Sequence, residues 1–154
     1  MGRDTALVRP PILDHVALIV GDLEAGVDFY GDRLGLGDPV RLDVPELQLR
    51  LAFFVSTATV PLELVEFGGR GELAQGDAVV ALQVDDLDAE IARLRAEGTH
   101  VFEQPATEAL PFRRGWITKG NGHGTVIELC PKGEMARLLA NLAAAAEGAA
   151  EDEE

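Results

Sequence analysis

The sequence predicts an α+β protein made of two tandem β-α-β-β-β modules, and three observations carry that reading. The chain repeats itself: residues 14–25 read DHVALIVGDLEA, and residues 78–89 read AVVALQVDDLDA. Val16-Ala17-Leu18 returns as Val80-Ala81-Leu82, and Asp22-Leu23-Glu24-Ala25 returns as Asp86-Leu87-Asp88-Ala89. Each copy opens on a β-branched apolar run, passes through an aspartate into helical periodicity, and continues into three short apolar runs. Between the copies, residues 68–77 are rich in glycine and read as a linker. A duplicated unit predicts two modules with a cleft between them.

The elements follow in order. Residues 1–11 form an irregular lead-in, with Pro10-Pro11 blocking regular structure. Residues 13–20 are a buried strand. Asp22 suits a helix N-cap, with Leu23, Val27, Tyr30 and Leu34 on one helical face and Gly35 and Gly37 as the stop. Three strands follow at 39–44, 48–56 and 60–67, broken at Pro45 and around Ser56-Thr57. In the second module, 78–84 is a strand and Asp86 caps a helix with the stripe Leu87, Ile91 and Leu94, which Gly98 ends. Strands at 100–104, 113–118 and 125–130 complete it. A last helix is expected from Gly133 to about Ala146, with Met135, Leu138, Leu139 and Leu142 on one side. The expected organisation is one domain over residues 1–147, with module one at about 12–67, the linker at 68–77, module two at about 78–131 and the helix at about 133–146. An acidic tail at 148–154 follows it.

Composition narrows the partners. At 154 residues the chain can bury one good core, and with only 5% aromatic residues that core is mostly Leu, Val and Ala. A net charge of −14 argues against nucleic acid or an anionic membrane as partner, because both need a basic surface. The single cysteine, Cys130, rules out an intrachain disulfide and reads as a small buried hydrophobe. With no signal peptide and no apolar run long enough for a bilayer, a cytoplasmic protein acting on a small molecule is expected.

Laying the modules over each other exposes a candidate site. The first strands carry His15 and Val79 at equivalent positions, and the last strands carry Glu63 and Glu128, each within an aliphatic run. A carboxylate buried among aliphatics is costly unless it is paired or bound to a cation. Imidazole with two carboxylates suits Zn, Ni, Co, Mn or Fe.

At this point the chain resembles a known family. Leu13-Asp14-His15-Val16-Ala17, Asp28-Phe29-Tyr30 with Leu34-Gly35-Leu36, Pro61-Leu62-Glu63-Leu64, Val84-Asp85-Asp86-Leu87 and Gly124-Thr125-Val126-Ile127-Glu128-Leu129 are similar, in order and spacing, to motifs of the vicinal oxygen chelate superfamily (the glyoxalase, bleomycin resistance and dioxygenase group). The pattern is nearest to methylmalonyl-CoA epimerase and glyoxalase I-like proteins and covers roughly residues 12–131. The resemblance implies a cupped eight-strand mixed sheet, a homodimer, and one divalent metal ion held by His15, Glu63 and Glu128. Val79 stands at the fourth ligand position and cannot bind metal. Epimerases of this type also use a carboxylate on an interior strand of module one, where Gln48-Leu49-Arg50-Leu51 offers none.

The resemblance further implies metal-assisted proton transfer next to a carbonyl of a small acyl or polyketide-type substrate, as in an isomerase, epimerase or lyase. Glu128 or Glu63 would be the catalytic acid and base. Arg113 and Arg50 would hold an anionic group, and Trp116 would line the cup wall against the substrate. A metal-free alternative stays open: His15 as a core histidine, both glutamates paired with arginine, and a cup that sequesters drug-like ligands or serves a non-metal isomerase or cyclase.

Overall fold

Eight strands lie in a single sheet in the computed structural model, which describes residues 10–55, 60–69 and 71–152, with side chains to residue 149. The strands are β1 (Ile12–Ile19), β2 (Val40–Val44), β3 (Leu49–Phe54), β4 (Leu62–Phe67), β5 (Ala78–Val84), β6 (Phe102–Gln104), β7 (Arg114–Ile117) and β8 (Val126–Pro131). Their spatial order is β2-β3-β4-β1-β5-β8-β7-β6. The first strands of the two modules meet antiparallel at the centre, with Val16 opposite Val80 and Ala17 opposite Val79. Each then takes the last strand of its own module as a parallel neighbour: β4 beside β1, and β8 beside β5. The expected mixed sheet of two modules is therefore present, and its halves are related by an approximate twofold between β1 and β5.

Within each module a helix connects the first strand to the rest of the unit. Asp22 accepts from the Ala25 N–H and Asp86 from the Ala89 N–H, so both aspartates cap as the repeat implied. The first helix, α1 (Leu23–Val27), runs on as a π-helical turn over Asp28–Arg33, and α2 spans Leu87–Ala96. Both helices cover the same face of the sheet. Leu23 packs with Ala52, Phe54 and Leu64; Leu87 and Ile91 pack with Val101, Ile117 and Leu129. The opposite face curls into a cup whose core contains Ala17, Leu51, Phe53, Val65, Val79 and Val126.

A third helix, α3 (Glu134–Asp152), crosses this cup and inserts Met135 and Leu139 into its core. It runs past residue 146 into the segment expected to be a tail, because an alanine-rich stretch is a strong helix former and Gly148 alone does not break it. Strand β3 begins only at Leu49: Pro45–Leu47 forms a 3-10 turn and Gln48 takes a left-handed conformation with φ of 56°. The lead-in over residues 1–9 and the break at Ser56-Thr57 lie outside the described residues. Among the described residues no helix is long and apolar enough to cross a membrane.

The π-helical turn depends on one glycine. A Cβ on Gly31 would sit 2.7 Å from the Gly37 carbonyl oxygen, with the Phe54 ring at 3.4 Å behind it. Gly148 meets nothing within 4 Å. Gly31→Ala is therefore expected to destabilise the protein by about 1–3 kcal/mol through forced backbone movement. Gly148→Ala should leave stability unchanged or raise it by up to about 1 kcal/mol. Urea unfolding of the two variants measures both, and equal effects would show that the turn has no such restriction.

Candidate metal and acid–base site

The two central strands and their parallel neighbours bring His15, Glu63 and Glu128 together. His15 lies opposite Ala81 on β5, Glu63 beside Ala17, and Glu128 beside Ala81. Small alanines at these crossings leave room for an imidazole and two carboxylates in the bottom of the cup. His15 Nε2 stands 3.3 Å from Glu63 Oε1 and 3.2 Å from Glu128 Oε1. All three residues are buried.

Two further buried residues complete the cluster. The pairing of β1 with β5 slips between Leu13 and His15, and at this irregularity Asp14 is buried beside its neighbour. Its Oδ2 lies 2.6 Å from His15 Nδ1, which fixes the proton on Nδ1 when the ring is neutral and leaves the Nε2 lone pair facing the glutamates. On the other flank, Arg114 Nη1 donates to Glu128 Oε2 at 2.6 Å.

The sequence had pointed to Arg113 and Arg50 as the arginines that face the cup and hold an anionic group, but both pair with carboxylates outside it. Side chains alternate across a strand, so Arg114 and Trp116 share the inner face of β7 while Arg113 turns outward to pair with Asp88 and Glu103. Leu49 and Leu51 likewise face the cavity, and Arg50 between them turns out to Glu24, Glu66 and Asp43. Trp116 does line the cup. The signal that selects Arg114 was available: a residue two before a cup-wall tryptophan shares its face.

The two glutamates are equivalent in the repeat but not in environment. Phe53 lies opposite Glu63, as Trp116 lies opposite Glu128. Two positions earlier on those strands, module one has Leu51 and module two has Arg114. Burial pushes the Glu63 carboxyl above its ordinary range, and His15 only partly offsets this. Burial acts on Glu128 too, but His15 and Arg114 outweigh it and hold its pKa down at about 2. For His15, burial favours the neutral ring, while Asp14, Glu128 and Glu63 together raise its pKa to about 12. Three buried electron-rich atoms facing one another need a proton or a cation between them.

The donor types suit a divalent ion. Each glutamate oxygen lies from His15 Nε2 about as far as two ligand atoms that share one ion at about 2.0–2.2 Å, and three protein ligands are what catalytic centres use. With His15 neutral, three carboxylates against one guanidinium leave two negative charges unbalanced, the charge of one such ion. Asp14 and Arg114 orient the histidine and Glu128 from behind, as second-layer partners do in metal sites. Among the described residues, the grouping whose ligand atoms all lie within 4.8 Å of one another is a different one, Asp14, His15 and Cys130. It fits less well, because Asp14 and His15 Nδ1 already satisfy each other and burial pushes the Cys130 thiol well above its ordinary range.

Above the cluster opens a cavity of about 430 Å³, within the range of small-molecule sites. Its walls are largely apolar, with Leu51, Val65, Phe67, Leu110, Trp116 and Met135 among them, and Glu63, Glu128 and Arg114 reach into it.

Comparison with known proteins agrees with this architecture. Residues 12–129 match the Glyoxalase/Bleomycin resistance protein/Dioxygenase superfamily. A lactoylglutathione lyase of Neisseria meningitidis is 33% identical over 106 residues, which cover 66% of this chain and 74% of that protein. Among solved structures, a hypothetical protein from Bacillus halodurans superposes with a TM-score of 0.68 at 18% identity, covering 80% of this chain and 96% of that one. The methylmalonyl-CoA epimerase from Mycobacterium tuberculosis gives a TM-score of 0.64 at 24% identity, covering 81% and 91%. With its duplicated modules, central antiparallel seam and matched segment over nearly the whole sheet, the chain belongs to the Glyoxalase/Bleomycin resistance protein/Dioxygenase superfamily.

Proposed function

We propose that this protein is a metal-assisted enzyme that moves a proton at the carbon next to a carbonyl of a small, largely apolar substrate. The observation that carries the reading is the convergence of His15 Nε2 with one oxygen each of Glu63 and Glu128 at the bottom of an apolar cavity. A divalent ion (Zn, Ni, Co, Mn or Fe) held by His15, Glu63 and Glu128 would supply Lewis-acid polarisation of the carbonyl and lower the cost of removing the neighbouring proton.

The chain's own groups divide the remaining work. Asp14 keeps the His15 proton on Nδ1. Arg114 locks Glu128 as an anion and steers one of its oxygens toward His15. Among the described residues Arg114 acts on Glu63 through its charge but is hydrogen-bonded to Glu128, and the raised pKa of Glu63 suits a group that takes and returns a proton. Apolar walls keep water from competing for that proton. Relatives named lactoylglutathione lyase and methylmalonyl-CoA epimerase support a carbonyl substrate.

A metal-free ligand-binding cup is the second reading. Two observations favour it: Val79 offers no fourth ligand, and the cluster reaches neutrality without an ion when His15 and Glu63 both hold protons.

Metal analysis of protein purified without chelator is expected to find about one divalent ion per chain in the wild type and none in His15→Ala. A wild type that carries no ion and takes none up on titration refutes the metal reading. Ion binding should release protons and tighten as pH rises, because His15 must lose its proton to ligate. In metal-loaded protein, deuterium incorporation beside the carbonyl of acyl-thioester and hydroxyketone probes should fall by about 100-fold or more in Glu63→Gln. Exchange unaffected by the substitution removes Glu63 from the role assigned to it.

The metal-free protein has its own pH signature. The Glu128 pKa is lowered from 4.5 to about 2, so its stabilisation is complete above pH 4.5 and is lost as pH falls toward 2. The His15 pKa is raised from 6.5 to about 12, so its stabilisation is complete below pH 6.5 and fades as pH climbs toward 12. Urea unfolding between pH 2 and 5 should therefore show a shallower loss of stability for Glu128→Gln than for wild type. Parallel slopes would place the acid sensitivity elsewhere.

A further inference from the structure

A second cavity, of about 500 Å³, shares a wall with the cup. It lies at the rim of module one, where β1 and β4 end and β3 begins. Gln48, Leu49, Phe67 and Leu73 line both cavities. Leu73 differs from the other three because it comes from the linker between the modules, where it packs half-buried against the core of the cup. On its far side the surroundings change: Asp43, Arg50 and Glu66 line the second cavity and not the cup.

One lysine holds Leu73 in place. Among the described residues, no backbone hydrogen bond joins residues 71–73 to the sheet. Lys119, just past β7, donates from its backbone N–H to Glu72 Oε1 at 2.9 Å. Its Nζ donates to the Glu72 carbonyl at 3.1 Å and to Asp77 Oδ2 at 2.6 Å. The same Asp77 oxygen accepts from the Ala74 N–H at 2.8 Å. Leu73 thus sits in a short strap clasped on both sides by Lys119. Beyond the strap the chain is fixed again, as Gly76 donates to the Ile19 carbonyl and Ile19 to the Asp77 carbonyl. The clasp is partly exposed, so water and salt compete with it. A segment with few backbone bonds and one half-buried anchor opens more readily than the sheet it covers.

We propose that residues 72–74 form a gate between the cup and the second cavity, with Leu73 as its plug and Lys119 as its latch. Release of Lys119 lets Leu73 leave the shared wall and joins the apolar cup to a vestibule lined by Asp43, Arg50 and Glu66. Leu73 then sets how far a ligand in the cup can extend. With the gate closed the ligand ends at this side chain; with it open a longer one runs on into charged surroundings. Lys119 is a positioning residue that acts through Leu73. The gate needs neither the ion nor a substrate.

Trp116 is the only tryptophan in the chain and lines the cup, so quenching of its fluorescence by acrylamide reports access to the cavity. The measurement is made after EDTA treatment and without substrate, which separates it from the tests of the metal and of the reaction. Lys119→Met, which keeps the apolar stem and loses the ammonium, should raise the quenching constant about threefold or more. Leu73→Ala should do the same with the latch intact, and Lys119→Arg, which still donates, should quench like the wild type. Raising NaCl to about 0.5 M should increase quenching in the wild type and not in Lys119→Met, because salt screens the Lys119–Asp77 pair. Lys132→Met, which removes an exposed lysine paired with Asp85, is the control and should match the wild type. Wild-type quenching in either Lys119→Met or Leu73→Ala, or an equal rise in Lys132→Met, overturns the proposal.

Discussion

Burying charge without leaving it unbalanced is the constraint around which this protein is arranged. Asp14, His15, Glu63, Arg114 and Glu128 all lie inside the sheet's concave face, where water cannot stabilise them. Each position that surrounds them answers that constraint. Alanines at 17 and 81 give them space, the slip in β1 buries Asp14 beside the imidazole, and the phase of β7 decides which of two adjacent arginines enters. The exposed ion pairs on the outer surface, such as Arg41 with Glu24, are screened by solvent and contribute little by comparison.

Duplication supplied a symmetric frame, and the electrostatics of the buried cluster come from where the two halves disagree. His15 faces Val79 across the repeat, and Leu51 faces Arg114. One glutamate therefore has its pKa raised by burial, while its counterpart beside a guanidinium has its pKa lowered. Two carboxylates at equivalent repeat positions thus acquire different acidities, and Arg114 on the strand next to Glu128 has no counterpart next to Glu63. That separation is what general acid–base chemistry requires of a pair.

The sequence made the frame legible because periodicity and repetition are properties of the chain itself. The modules, both aspartate caps and the eight-strand mixed sheet implied by the family resemblance all appear in the structure. His15, Glu63 and Glu128 were legible for the same reason: a polar residue inside an aliphatic strand is conspicuous. Arg113 and Arg114 were not separable by composition, since the choice turns on strand phase, although Trp116 two residues on held the answer. Arg50 failed on the same rule, between Leu49 and Leu51. Asp14 enters the cluster through a pairing irregularity that no pattern of apolar residues encodes. The length of α3 was obscured by acidic residues that a solvated helix face accepts as readily as a tail does.

Helix α3 places chemistry and capacity on separate parts of the chain. Its Met135 closes one wall of the cavity, yet none of its residues belongs to the charged cluster at the bottom. Side chains along this one helix can thus lengthen, shorten or reshape the cavity while the charged cluster stays untouched. A lineage carrying this fold can change what it accepts by drift in its last segment alone, and a protein engineer has the same freedom.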